Sequence, residues 1–126
     1  HSGWRGTAMG IAAKAVAAMV REFGCNPADL RAAIGPCIGL CCFEVGAEVP
    51  QAMRAALGAA ADPHIEQRGA KWHVDLKGIN AHWLRADGVE QIDVCTHCTA
   101  CRPDLYWSHR RMGNARGAQI AMIALR

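Results

Sequence analysis

Six of the seven cysteines lie in two clusters, and thiols at such short spacings are able to bind a metal ion. The first cluster has the pattern C-x3-C-C at residues 37–42, and the second has C-x2-C-x2-C at residues 95–101. The clustered residues are Cys37, Cys41, Cys42, Cys95, Cys98 and Cys101. Sulfur ligands of this kind hold structural zinc ions and iron–sulfur clusters. Only the second cluster resembles a zinc knuckle, and buried, reduced core thiols are the alternative interpretation.

A second set with chemical potential is Ser108-His109-Arg110-Arg111, which precedes a glycine-containing segment at residues 113–117. Arginine binds phosphate and carboxylate groups through two parallel hydrogen bonds, and glycines allow the backbone to approach an anion closely. Such residues after a strand would form an anion pocket. A solvated charged loop is the alternative that the spacing leaves open.

The opening segment is a third candidate, because His1, Trp4 and Arg5 stand among glycines directly before a predicted helix. The amide groups at a helix N-terminus favour an anion or a polarised substrate. His1 is a potential metal ligand or general base. The other internal histidines are assigned to a loop, a strand face, a helix surface and a turn; they are His64, His73, His82 and His97.

These residues must be positioned by alternating helices and strands. Apolar spacing predicts helices over residues 7–23, 49–57 and 76–86, the first ended by Gly24. It predicts strands over residues 30–34, 71–75 and 92–95, a further strand over 105–108, and an apolar run of strand length over 119–125, with a loop over 59–70. The alternation predicts an α/β fold with a mixed sheet flanked by helices.

Composition narrows the class of protein. The chain has 126 residues, 52% of them hydrophobic and 20% charged, which is typical of one globular domain. No run reaches the roughly 18 apolar residues of a membrane span. A net charge of +3 does not favour nucleic-acid binding. Only three of the basic residues are lysine, an excess of arginine that fits either anion recognition or codon bias. Seven cysteines and no signal peptide predict free thiols in the cytoplasm.

Five motifs, taken in order, resemble those of the YfiH or laccase-domain family, whose members are variously named polyphenol oxidase, peptidoglycan editing factor and purine nucleoside phosphorylase. The motifs are His1-Ser2-Gly3-Trp4-Arg5-Gly6-Thr7, Ile34-Gly35-Pro36-Cys37-Ile38-Gly39 with Cys42-Phe43-Glu44-Val45-Gly46, Asp75-Leu76 with Asn80, Cys95-Thr96, and Ser108-His109-Arg110-Arg111 with Arg116. The resemblance extends over nearly the whole chain and implies a YfiH-like α/β fold.

The resemblance also implies a single zinc ion, or copper, bound by two histidines and a cysteine. His1 matches one of these ligands and is the expected catalytic residue. The other two lie upstream of this motif in the family, so residues 1–126 are expected to be the C-terminal part of a single domain, inactive alone. Arg5, Arg110 and Arg111 are expected to contact anion or substrate. Ser108 and His109 would contact the base or ribose, or serve a structural role.

The activity that the resemblance implies is metal-dependent phosphorolysis of adenosine, inosine, guanosine and methylthioadenosine, together with deamination of adenosine. Its partners would be a purine nucleoside and phosphate. The alternatives are a Cys/His hydrolase with a peptidoglycan-editing role, a laccase-like polyphenol oxidase, and a non-enzymatic cysteine-rich metal-binding module. The family pattern does not require Cys41, Cys98 and Cys101, so these cysteines have no assigned role.

Overall fold

A computed structural model describes residues 1–124 of the chain. The α-helices are α1 (Trp4–Ala8), α2 (Ile11–Phe23), α3 (Glu48–Leu57), α4 (Leu76–Ala86) and α5 (His109–Met112). The strands are β1 (Arg31–Ile34), β2 (Glu44–Val45), β3 (Ile65–Arg68), β4 (Lys71–Val74) and β5 (Gln91–Val94). Short 3₁₀ helices span Pro27–Asp29, Gly58–His64 and Gly113–Ala115. No helix within residues 1–124 is long and apolar enough to span a bilayer.

The strands are divided between two small sheets. β1 and β5 form a parallel pair in register from Arg31 opposite Gln91 to Ile34 opposite Val94. β4 is the central strand of an antiparallel sheet with the order β2-β4-β3. The α/β class is confirmed, and both parallel and antiparallel pairing occur, but in separate sheets within residues 1–124.

The core lies where α3, β4 and α4 meet. Each of these elements contributes a fully buried side chain to one cluster. They are Met53 on α3, Val74 on β4 and Ile79 on α4. Residues three or four positions apart share one face of a helix, which is why the apolar spacing of α3 and α4 predicted both helices. α4 begins at Asp75, whose carboxylate accepts a hydrogen bond from the Lys77 amide at 3.1 Å. This N-cap stabilises the first turn of the helix that carries most of the site contacts described below.

The predicted helix over residues 7–23 is in fact two helices. Gly10 adopts φ 65° and ψ 41°, which is the left-handed region, and the helix is interrupted between α1 and α2. The Trp83 ring lies 3.5 Å from the point that a Cβ of residue 10 would occupy. Periodicity alone did not reveal the break, because the apolar spacing continues across it.

Three further predictions about elements differ from the structure. The predicted loop over residues 59–70 contains a 3₁₀ helix and β3, an edge strand whose exposed polar side chains show no apolar alternation. The predicted strand over 105–108 was wrong: the amides of Leu105 and Tyr106 both donate to the Arg102 carbonyl, at 3.1 and 3.0 Å, and form a turn. Residues 119–124 form no strand, and Leu125 lies outside the described residues.

Candidate functional site

The opening segment is fixed to α4 by a buried hydrogen-bond network. Asn80 donates through Nδ2 to Thr7 Oγ1 at 3.0 Å and to the Leu76 carbonyl at 2.8 Å. The Ser2 hydroxyl donates to Asn80 Oδ1 at 3.0 Å and lies 2.9 Å from the Thr7 hydroxyl. Trp83 Nε1 donates to the Thr7 carbonyl at 3.0 Å. The backbone that carries His1 and Arg5 is therefore held against a rigid helix.

His1 and Arg5 project outward from this anchored segment. Both side chains are exposed, and the His1 ring forms no hydrogen bond with any residue of 1–124. Gly3 leaves room for the imidazole, since a Cβ at that position would lie 3.1 Å from His1 Nε2. The Arg5 guanidinium stacks over the Trp4 ring at 4.4 Å from its centroid. The His1 nitrogens are thus available to a ligand or a metal.

Helix α5 carries the second predicted set. Arg110 Nη1 donates to the Glu44 carbonyl at 2.7 Å, and its guanidinium lies 5.5 Å from the centroid of the Phe43 ring. Arg111 Nη1 donates to the Ala100 carbonyl at 3.2 Å. Each guanidinium has five N–H donors, so these single bonds orient the side chain and leave other donors for an anion.

The other members of this set are placed differently. Ser108 is buried, and its carbonyl accepts a hydrogen bond from the Met112 amide at 2.9 Å, so it starts the first turn of α5. His109 is exposed, and its Nδ1 accepts a hydrogen bond from Arg116 Nε at 3.2 Å. Because Nδ1 is an acceptor, the neutral His109 ring carries its proton on Nε2, where it can donate outward.

The structure does not join all the predicted site residues into one cluster. Within residues 1–124, no hydrogen bond or ion pair links His1 or Arg5 to residues 108–111. No group of three or more histidine, cysteine, aspartate or glutamate side chains includes His1 in that range. The described hydrogen bonds and ion pairs therefore do not connect the anchored N-terminal segment with α5.

Four thiols from the two cysteine clusters form a compact group. The Sγ atoms of Cys41, Cys42, Cys98 and Cys101 all lie within 4.8 Å of one another. The Cys101 sulfur is 3.6 Å from that of Cys41 and 3.4 Å from that of Cys42. Cys37 is not part of this group, because its thiol donates to the Ile38 carbonyl at 3.2 Å. None of the seven cysteines forms a disulfide within residues 1–124.

The environment of these thiols alters their acidity in opposite directions. Burial raises the pKa of Cys98, but hydrogen bonds from backbone amides outweigh this and lower the pKa from 9.0 to about 6. These amides belong to Gly39, Cys101 and Ala100. The hydrogen bond with the Cys101 thiol, followed by burial, raises the pKa of Cys42 to about 12. Cys98 consequently ionises at a lower pH than Cys42.

The parallel sheet explains why the two cysteine clusters meet. Adjacent parallel strands end at the same edge of a sheet, so the segments after β1 and β5 leave side by side. They continue to pair beyond the strands through a bridge between Cys37 and Cys98, with the Thr99 amide donating to the Cys37 carbonyl at 3.0 Å. The spacing within each cluster could not predict this meeting, because it depends on strand order.

Lys77 is a structurally important residue that the sequence interpretation missed. It is buried, and its Nζ donates to the carbonyls of Cys95 at 2.6 Å and His97 at 3.0 Å. The sequence signal for this role was a lysine between the apolar residues Leu76 and Ile79 of the first turn of α4. His97 Nδ1 lies 2.8 Å from the Tyr106 hydroxyl, so this imidazole is engaged there and does not join the thiol group.

The family described as multi-copper polyphenol oxidoreductase laccase matches residues 1–126. The purine nucleoside phosphorylase YlmD of Geobacillus stearothermophilus is 38% identical over 129 residues, which cover 100% of this chain and 47% of the relative. The adenosine deaminase RL5, from an unknown prokaryotic organism, is 37% identical over 126 residues, which cover 98% of this chain and 48% of the relative. The chain thus spans about half the length of these relatives.

Solved structures give the same result for the fold. The crystal structure of YfiH from Bacillus licheniformis matches with a TM-score of 0.83 at 40% sequence identity, over 88% of this chain and 43% of that chain. YlmD from Geobacillus stearothermophilus matches with a TM-score of 0.82 at 38% identity, over 88% and 42% of the two chains. With a family match over every residue and two structures of this similarity, the chain belongs to the YfiH or laccase-domain family.

Proposed function

We propose that the chain is part of a metal-dependent purine nucleoside phosphorylase that also deaminates adenosine. The observation that carries the proposal is the similarity along the whole chain to relatives named purine nucleoside phosphorylase and adenosine deaminase. The substrates would be adenosine, inosine, guanosine or methylthioadenosine, with phosphate as the nucleophile. The chain spans under half of each of these relatives. Residues 1–126 would be the C-terminal part of the catalytic domain, as the family resemblance implies.

His1 is the residue that would bind the metal, zinc or copper, and so would be catalytic. Its exposed imidazole has both nitrogens free of hydrogen bonds to residues 1–124, which fits a ligand role. The other ligands would come from residues outside this chain. When bound, zinc in such a site supplies an activated water for deamination. The Ser2–Thr7–Asn80 network would hold the backbone on which His1 is mounted.

Arg110, Arg111 and Arg5 would bind the phosphate or other polar groups of the substrate. A phosphate that attacks a ribose carbon needs cationic donors that orient it and stabilise charge in the transition state. Arg110 and Arg111 are already oriented by single bonds to backbone carbonyls and keep free N–H donors. His109, with its proton on Nε2, is suited to donate to the base or ribose, whereas buried Ser108 is suited to a positioning role.

The test is an assay of the intact protein with adenosine, with and without phosphate. Phosphorolysis releases adenine and ribose 1-phosphate, and deamination releases inosine. Arg110→Ala is expected to raise the phosphate KM roughly tenfold to a hundredfold, as the loss of a charge-assisted hydrogen bond implies. It should leave phosphate-free deamination unchanged, whereas His1→Ala should abolish both reactions.

The matched control is Arg21→Ala, which removes an exposed arginine of α2 that pairs with its neighbour Glu22. This variant should match the wild type in both reactions. Absence of ribose 1-phosphate at every metal loading of the intact protein would refute the phosphorylase proposal. An equal loss of phosphorolysis in the Arg21 and Arg110 variants would refute the role given to Arg110.

A polyphenol oxidase is the second candidate, and the description of the matched family favours it. It ranks lower because a multi-copper oxidase needs more histidine ligands than the two that the resemblance implies for the single metal site. Oxygen consumption by the copper-loaded protein with a phenolic substrate distinguishes it from the phosphorylase. The hydrolase with a peptidoglycan-editing role stays a prediction of the sequence.

A further inference from the structure

We propose that Cys41, Cys42, Cys98 and Cys101 form a tetrathiolate site for one zinc ion, distinct from any metal bound through His1. The four sulfur atoms come from two segments that are far apart in sequence, residues 41–42 and 98–101, yet all lie within 4.8 Å of one another. Four cysteine sulfurs are a ligand set typical of structural zinc sites. The proposal does not depend on the proposed phosphorylase activity.

The spacing of the sulfurs fits a single tetrahedral ion. Zinc–sulfur bonds of about 2.3 Å in a tetrahedron place the sulfurs about 3.8 Å from one another. The separations from Cys101 to Cys42 and Cys41 are 3.4 and 3.6 Å, and no pair of the four exceeds 4.8 Å. Shifts of about 1 Å or less would bring every pair of sulfurs to this separation. An iron–sulfur cluster places several iron and sulfide atoms between its thiolates, so it requires a wider group.

The backbone around the group is arranged as a support for ligands. The Gly39 amide donates to Cys98 Sγ at 3.2 Å, and such bonds orient a thiolate ligand and disperse its charge. A Cβ at Gly39 would lie 3.2 Å from Cys98 Cβ and 3.4 Å from Cys41 Sγ, so glycine permits this close approach. The Cys101 and Arg102 amides both donate to the Cys98 carbonyl, at 3.2 and 3.1 Å, and form a tight turn between two ligands.

A positively charged side chain lies next to the thiol group, and two of the four thiols are accessible to an ion from solvent. A zinc ion with four thiolates carries a net charge of −2, and a nearby cation offsets such a charge. Arg111 binds the Ala100 carbonyl, which lies in the turn between Cys98 and Cys101. Cys41 and Cys101 are exposed, which gives an ion a route of entry, whereas Cys98 is buried. A bound ion would join the segments after β1 and β5 and, through Arg111, steady α5.

The binding step needs no oxidant, because Zn²⁺ replaces the protons of the thiols, which are released to solvent. A disulfide, by contrast, would require an oxidant to remove two electrons. A zinc site and a disulfide therefore differ in metal content, in proton release and in the oxidation state of the thiols. Metal content and thiol state are both measurable on the same sample.

The test uses the intact protein with the substitution His1→Ala, so that a metal held through His1 does not contribute. We expect one zinc ion per chain by elemental analysis. X-ray absorption should show four sulfur neighbours at about 2.3 Å. Adding Cys98→Ser and Cys101→Ser should reduce the zinc content to below a tenth of this value. The matched control Cys25→Ser, a free cysteine outside the group, should retain it.

A second measurement guards against misfolding of the double variant. Protein stripped of metal under reducing conditions and titrated with Co²⁺ should develop thiolate-to-cobalt charge-transfer absorption that saturates at one ion per chain. Zinc with nitrogen or oxygen neighbours, an iron–sulfur spectrum, or a metal-free protein with these cysteines as disulfides would each overturn the proposal. So would the loss of all zinc on substitution of His1 alone.

Discussion

At the scale of single residues, the opening motif owes its geometry to polar side chains that do not themselves face the site. Thr7 is fully buried, and its hydroxyl is shared by Ser2 and Asn80 from α4. Buried hydroxyl and amide groups destabilise a fold when their partners are removed, because the remaining group loses both water and its hydrogen bond. Thr7 thus belongs to the motif as the residue that holds its backbone in place.

Replacing Thr7 with valine keeps the shape of the side chain and removes the acceptor of the Asn80 amide. We expect the free energy of unfolding to fall by about 1–3 kcal/mol. The control Thr96→Val alters an exposed threonine and should change it by less than about 0.5 kcal/mol. Urea denaturation of both variants measures the difference, and equal values for the two would show that the network contributes no stability.

At the scale of elements, hydrophobic spacing predicted α3 and α4, each of which buries one face, and failed on β3, whose side chains show no apolar alternation. The spacings of Val49 and Met53 on α3 and of Leu76 and Ile79 on α4 follow one buried face, and both helices were found close to their predicted ends. β3 is an edge strand with exposed polar side chains, so no pattern marked it. The meeting of the four thiols depends on the parallel order of β1 and β5, which no local pattern encodes.

Gly10 is the position where the chain conformation overrides the helical pattern. Its left-handed backbone, with φ 65°, separates α1 from α2 and allows the opening motif to contact α4. Gly10→Ala should lower the free energy of unfolding by about 1–2 kcal/mol, since a Cβ is disfavoured in this region. Gly35→Ala is the control, because that residue has no positive φ and no neighbour within 4 Å of its Cβ position. Thermal unfolding that is equally affected by both substitutions would contradict this account of the break.

At the scale of the whole molecule, stability is distributed unevenly between the two sheets. The antiparallel sheet packs on the core of α3 and α4, and its central strand contains the buried residues His73 and Val74. The parallel pair has no fully buried residue on either strand. Yet the segments that follow these two strands carry the thiol group. Lys77 of α4 donates a hydrogen bond to the carbonyl of Cys95, the residue directly after β5. The less buried half of the described fold therefore bears the proposed zinc site.

Hydrogen exchange followed by mass spectrometry should reveal this difference. Amides of β4 and α4 are expected to exchange slowest, because they open only with the core, and those of β1 and β5 faster, through local opening. Adding zinc to the metal-free, reduced protein should slow exchange at residues 37–42 and 98–102 and in β1 and β5, since an ion bound by both segments opposes their separation. The Cys98→Ser, Cys101→Ser variant should lack this response while β4 and α4 exchange as before. Uniform slowing along the chain would instead indicate that zinc stabilises the fold as a whole and that the two sheets open together.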